Sequence, residues 1–219
     1  MSASVPHEVA NAVVPARRPM VAWRRAATDG LLASIWLLFA IANFKEWRAG
    51  HPAGAGTMAA ELMIVVAFVT RRKPWVTSRA PLAFVATGIG SFGALALRPA
   101  YAPLLDLGPL FLGIQLVGAL CAVVSLVYLG RSFGLVAANR GVRTAGPYRL
   151  MRHPLYASYF VAYTAYTFEN PSARNALVLL AVLPFQMVRI RSEEALLSDD
   201  PVYRQYCRHV RYRLIPRVW

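Results

Sequence analysis

Cysteine is nearly absent. The chain holds two, Cys121 inside an apolar run and Cys207 in a basic tail, and this excludes a disulfide framework. Acidic residues are few: 10 Asp and Glu stand against 24 Lys and Arg, a formal net charge of +14. Charge of either sign is scarce for a soluble domain, at 16% of residues. The glycine patterns that cradle nucleotides are missing, as are a Walker loop and a nucleophile elbow. His7, His51 and His209 have no partner at metal-ligand spacing, so no metal site is expected. No cleavable signal peptide is expected either, because a polar, arginine-rich leader precedes the first apolar block and no small-residue site closes that block.

Hydrocarbon is abundant. Hydrophobic residues make up 57% of the chain and the mean hydropathy is +0.43. The apolar residues fall in blocks, which predicts an integral membrane protein. The arginines gather in the connections between blocks, the pattern of cytoplasmic loops, and this argues against nucleic acid as the partner of the positive charge.

Residues 1–25 read as a leader in which Pro6, Pro15 and Pro19 discourage a helix. Arg17, Arg18, Arg24 and Arg25 precede the first span and predict a cytoplasmic N-terminus. Spans are expected over 28–44, 57–70, 80–97 and 109–129, and two shorter apolar segments over 155–168 and 176–190. The first span ends in an interfacial group, Lys45, Trp47 and Arg48. Glu61 in the second span is either a functional intramembrane carboxylate or a snorkelling one. The second connection is basic (Arg71, Arg72, Lys73, Arg79), and the third carries Arg98, Pro99, Pro103 and Asp106. Gly88, Gly90 and Gly93, then Gly113 and Gly118, permit close helix contact. Glu169-Asn170-Pro171-Ser172 is a turn signal between the last two segments. Asp200-Pro201 opens a further helix in an amphipathic, basic tail. The predicted fold is therefore all-α: a polytopic helical bundle of about six apolar segments with a cytoplasmic C-terminal cofactor-binding region. The expected divisions are a leader over 1–27, transmembrane helices over 28–130 and a catalytic region over 131–219. Both termini are expected inside, at a cytoplasmic (inner) membrane.

The polar chemistry concentrates after residue 130. Arg152-His153-Pro154-Leu155-Tyr156 places a proline at the first position of a helix with a histidine before it. Such a helix start can bind an anion, and Tyr148 and Tyr156 offer aromatic faces to a cation. Interfacial anchoring by the same residues is the competing reading. Arg189 and Glu193 are four apart and share a face if the helix continues, either as an ordinary ion pair or as part of a site.

The ordered combination is more specific than its parts. It runs Gly146-Pro147-Tyr148, then Arg152-His153-Pro154-x-Tyr156, an apolar hairpin, Glu193-Glu194-x-x-Leu197, Tyr203-x-x-Tyr206, and Tyr212-Arg213-Leu214-Ile215-Pro216. Over residues 130–216 this resembles the isoprenylcysteine carboxyl methyltransferase family and the related membrane phospholipid methyltransferases. The resemblance implies a multi-span enzyme that uses S-adenosyl-L-methionine in a cytoplasmic pocket. It implies cofactor contacts for Tyr148, Arg152, His153, Pro154, Leu155 and Glu193. It adds a cofactor loop at Arg140, Gly141, Val142 and Arg143, where the eukaryotic enzymes begin with His and this chain has Arg140. Ser158 stands where the family often has glycine. Arg189 matches an arginine that the family places near the substrate carboxylate; Arg189 and Glu193 are the expected catalytic pair, and Arg189 and Tyr156 the residues expected toward substrate. The expected reaction is carboxyl O-methylation of an isoprenylcysteine-like or other lipophilic acid, such as a prenylated cysteine, drawn from the membrane lipid. Phospholipid N-methylation is the alternative. A sterol-reductase-like protein and a non-enzymatic membrane protein are the more distant ones.

Overall fold

The computed structural model describes residues 22–50, 53–78, 80–98 and 107–218. The leader arginines Arg17 and Arg18, the histidines His7 and His51, Arg79, the Pro99–Asp106 stretch and Trp219 fall outside these residues. Among the described residues, seven α-helices carry the fold: α1 Ala22–Arg48, α2 Ala53–Thr70, α3 Pro81–Phe92, α4 Gly108–Leu129, α5 Pro154–Glu169, α6 Ala173–Leu197 and α7 Pro201–His209. Among the described residues, three helices are long and apolar enough to cross a membrane, over Ala26–Arg48, Gly108–Ser132 and Ala173–Leu197. Helices α2, α3 and α5 occupy the remaining expected segments and are shorter, at 18, 12 and 16 residues. Large apolar side chains such as Leu38, Val69, Leu120, Leu177 and Leu180 face outward, which suits a lipid surround.

Local chemistry sets the helix ends. Ser172 caps α6, its hydroxyl accepting from Asn175 N, and Asp200 caps α7, its carboxylate accepting from Val202 N at 2.9 Å. Proline takes the first turn of α5 and α7 as the sequence predicts. Two boundaries differ from expectation. Helix α1 begins at Ala22, inside the expected leader, because no proline lies between Pro19 and Pro52 to interrupt it. Helix α6 runs on to Leu197, seven residues past the expected end of its apolar run at 190, because hydropathy marks only the lipid-facing length while Arg191, Glu193 and Glu194 are themselves good helix formers.

Helices α1 and α2 pair as a hairpin, α4 packs on α2 and α5, and α6 packs on α3 and α5. A core of Ala33, Ile64, Ala67, Phe68, Ala122, Leu126, Phe133 and Leu155 joins α1, α2, α4 and the start of α5. Arg71 closes one end of the hairpin by pairing with Asp29 and lies 4.9 Å from the Phe68 ring centroid. Asn175, fully buried, ties the opposite end: its amide donates to the carbonyls of Arg98 (2.8 Å) and Asn170 (2.7 Å).

The connections after α2 and α4 meet. Strand β1 (Val76–Thr77) pairs antiparallel with strand β2 (Ala138–Asn139), and Arg72 N and Trp75 N donate to the carbonyls of Arg131 and Asn139 at 2.8 Å each. The start of α5 and the end of α6 meet through Arg152 and Glu194. The arginine-rich connections after α2 and α4 are therefore joined directly, and the segment from β2 leads straight to the start of α5.

Candidate functional site

A cavity of about 350 Å3 lies inside the bundle. Among the expected site residues, Arg140, Leu155, Tyr156, Arg189 and Glu193 line it. Since α6 is unbroken from Ala173 to Leu197, Arg189 and Glu193 stand one turn apart on the cavity side.

Arg189 is held on three sides. Its Nη1 donates to Gln186 Oε1 (2.9 Å), its Nη2 donates to the Leu135 carbonyl (3.2 Å), and its guanidinium carbon sits 5.1 Å from the Tyr156 ring centroid. Gln186 is itself fixed, its amide donating to the Gly90 carbonyl at 2.8 Å. Gly90 lets the arginine lie close: a Cβ at that position would stand 2.8 Å from Arg189 Cδ, so the side chain would have to shift. The Arg189 Nε is buried and meets no hydrogen-bond partner among the described residues. A planar cation held through both Nη groups, with its Nε–H left over, keeps donor capacity for an acceptor. Glu193 accepts from the Tyr156 hydroxyl at 3.2 Å, so Tyr156 touches both members of the pair.

The segment between α4 and α5 folds over the cavity. Ser132, Phe133, Gly134, Leu135, Val136, Ala138 and Arg140 all border it. Gly141 turns the chain after Arg140 with φ +97°, a conformation side chains disfavour. Its N–H donates to Asn139 Oδ1 (3.0 Å), and Asn139 Nδ2 donates to Asp200 Oδ2 (2.8 Å). Arg143 Nε donates to Ser132 Oγ at 3.1 Å, while Val142 packs on the Tyr203, Tyr206 and Val210 cluster. Of the four loop residues, Arg140 faces the cavity and the other three fasten the loop.

Tyr148, Arg152, His153 and Pro154 do not line the cavity. They lie behind it. Buried Tyr148 accepts at its carbonyl from the Tyr206 hydroxyl at 2.6 Å, and burial, with the Glu193 charge second, pushes its own phenol well above the usual range. Arg152 Nη1 pairs with Glu194 Oε1 at 2.9 Å, and His153 Nε2 is 3.3 Å from the same oxygen. Arg213 Nε donates to Glu194 Oε2 at 2.7 Å. Backbone bonds reinforce the junction: Arg152 N and His153 N donate to the carbonyls of Tyr212 and Arg213 at 2.9 Å each. Burial lowers the Arg152 pKa and the neighbouring Glu194 raises it, with a net upward shift. Glu194 thus gathers three basic side chains into a knot that ties α6, the start of α5 and the tail together.

Sequence reasoning passed over Glu194 as a junction, Gln186 as the support of Arg189, and a tyrosine row on α5. Gln186 lies three before Arg189, a visible helical spacing. Tyr156, Tyr159, Tyr163 and Tyr166 recur at helical period and all line the cavity. Glu61, weighed both as a functional intramembrane carboxylate and as a snorkelling one, is buried at 5% exposure and lines the same cavity.

Residues 111–199 match the family model of the isoprenylcysteine carboxyl methyltransferase (ICMT) family, the family that the motifs resemble. The match runs from early in α4 to just past α6. It contains the expected site residues from Arg140 to Glu193 and leaves out α1 to α3 and α7. No curated protein matches the chain. Together with the three helices of membrane-crossing length, the match supports a membrane methyltransferase.

Proposed function

We propose that this chain transfers a methyl group from S-adenosylmethionine to the carboxylate of an isoprenylcysteine-like or other lipophilic acid, at the cytoplasmic face of a membrane it spans several times. The observation that carries this reading is the pairing of Arg189 and Glu193 in one cavity. The residues present suit the cofactor. The Glu193 carboxylate and the Tyr156 ring favour cationic and hydroxyl groups, Arg140 favours a carboxylate, and the orphaned Arg189 Nε leaves a donor for the acceptor acid. When bound, the cofactor supplies an electrophilic methyl group on a sulfonium sulfur.

The chain's own work is placement. A carboxylate is already ionised at neutral pH and needs no base. Arg189 would hold it by a charge-assisted contact while Gln186, Leu135 and Tyr156 keep the guanidinium from following the substrate. An amine acceptor would need a proton removed first. Of the candidate bases, His153 is turned to Glu194 and does not border the cavity while Glu193 does, so the preference for the acid over the phospholipid amine rests on Arg189.

The test is incubation of the purified protein with methyl-labelled cofactor and pools of lipids and prenylated thiols, followed by mass spectrometry. Label in a base-labile methyl ester is expected. Label on nitrogen, or failure to bind the cofactor in calorimetry, would overturn the reading. Reporters fused after Trp219 should read as cytoplasmic, given the arginine-rich connections.

A further inference from the structure

The proposed reaction uses one part of the cavity. Another part is polar without a stated purpose. Glu61 lies near the middle of α2 and borders the cavity. Its two oxygens accept from a single group, Asn43 Nδ2, at 3.1 and 3.0 Å. That leaves acceptor capacity on the carboxylate. Two more polar residues border the same cavity, Trp36 on α1 and Ser91 on α3. The Trp36 Nε1 and Ser91 Oγ atoms are buried and neither meets a hydrogen-bond partner among the described residues. A chamber meant for a plain hydrocarbon chain has no use for these groups, and leaving them unsatisfied is costly.

Their chemistry is complementary. Glu61 accepts, Trp36 donates, and Ser91 does either. A hydroxyl can donate to Glu61 and accept from Trp36 at once. An ammonium can only donate and would leave the Trp36 N–H unanswered. The position also counts. The cavity follows α5 from Tyr156 to Tyr166, roughly 15 Å at helical rise. One ligand can therefore meet Arg189 beside Tyr156 and still reach farther along the bundle. The four residues lie on α1 to α3, outside the stretch that matches the family.

We propose that Glu61, Asn43, Trp36 and Ser91 form a second recognition site in this cavity, which takes a hydroxyl group carried along the apolar body of the methyl acceptor. The proposal rests on the methyltransferase reading only in supposing that the acceptor fills this cavity. It makes the preferred substrate a hydroxylated lipophilic acid rather than a plain chain.

The test measures binding without cofactor. Hexadecanoic acid, a positional series of its monohydroxy derivatives and the matching amino derivatives are titrated calorimetrically into the protein in lipid nanodiscs. At least one hydroxy acid is expected to bind about tenfold tighter than hexadecanoic acid, from a hydrogen bond to a charged group. Glu61→Leu should abolish the preference and Ser91→Ala should narrow it; the second variant changes one small atom and guards against a misfolded first. Equal affinity across the series, or a preference that survives Glu61→Leu, would overturn the proposal, as would an amino derivative preferred over every hydroxy one. Methyl transfer to the same acids is measured separately. Transfer without discrimination between plain and hydroxylated chains leaves the reaction standing and removes the second site. Glu61-dependent preference without any transfer does the reverse.

Discussion

Glu193 and Glu194 are neighbours in the chain and end in different surroundings. Glu193 borders the cavity and accepts one hydrogen bond, from Tyr156. Glu194 turns the other way and is surrounded by Arg152, His153 and Arg213. Successive helical residues point about 100° apart, so a pair of like carboxylates at the end of α6 can serve two regions at once. The cavity side keeps buried donors and acceptors in reserve, as at Arg189 Nε. The knot side spends its charges on one another. Residues that travel together in a sequence motif therefore divide between lining the cavity and bracing the junction of α5, α6 and the tail.

The contrast can be broken most forcefully at the knot. Glu194→Ala would leave Arg152 and Arg213 facing each other, with Arg152 mostly buried. Losing one partner of a buried ionic cluster costs about 3–5 kcal/mol; with Arg213 partly exposed, the loss expected is nearer roughly 2–4 kcal/mol, and thermal unfolding in detergent should show a midpoint several degrees lower. Glu193→Ala should leave that midpoint nearly unchanged. Equal destabilisation by the two would mean that they are not in different roles.

At Arg189 the expected effect is on chemistry. Arg189→Lys keeps the charge and loses the planar fork. Losing a charge-assisted contact of about 1.5–3 kcal/mol slows turnover by roughly ten- to a hundred-fold if the contact is made in the transition state. Steady-state kinetics on a carboxylate acceptor checks this. Wild-type turnover would return Arg189 to a structural role with Gln186.

The two regions were not equally legible. The start of α5 at Pro154, the turn at Asn170-Pro171 and the cap at Asp200 are local events, and local chemistry predicts them. The approach of Arg189 and Glu193 is also local, given a continuous helix. The knot is not local. Glu194 meets partners 19 residues ahead and 41 behind, so its meeting with Arg152, His153 and Arg213 is not visible until the tail is folded against them. Glu61 was ambiguous for a related reason: hydropathy locates a charge along a helix but does not say whether it faces lipid, water or a cavity.

A smaller effect is expected at Glu193 itself. Glu193→Gln keeps an acceptor for Tyr156 and loses the charge. Cofactor affinity in calorimetry should fall by about tenfold, the loss of roughly 1.4 kcal/mol, with folding intact. Unchanged affinity would remove Glu193 from the cofactor's surroundings and leave it a partner of Tyr156.

The smallest change tests whether α3, which lies outside the family match, positions the site at all. Gly90 presents its carbonyl to Gln186 and its bare Cα to Arg189. A methyl group there would stand 2.8 Å from Arg189 Cδ and 3.1 Å from Gln186 Oε1, closer than carbon and oxygen atoms settle. The helix backbone at Gly90 accommodates alanine and is favoured by it, so Gly90→Ala should fold. The strain falls on Arg189. Its guanidinium must move by a few tenths of an ångström, against the bonds to Gln186 and Leu135 that hold it. Placement errors of this kind lower turnover more than binding. Turnover is therefore expected to fall by a few-fold, with cofactor affinity as in wild type and with the Arg189→Lys defect not deepened by adding Gly90→Ala. That last comparison is the sharp one. Two residues acting through one position do not add, whereas a general loosening of the bundle would lower the double variant by the product of both effects. A multiplicative loss would separate α3 from the arginine and confine its role to packing.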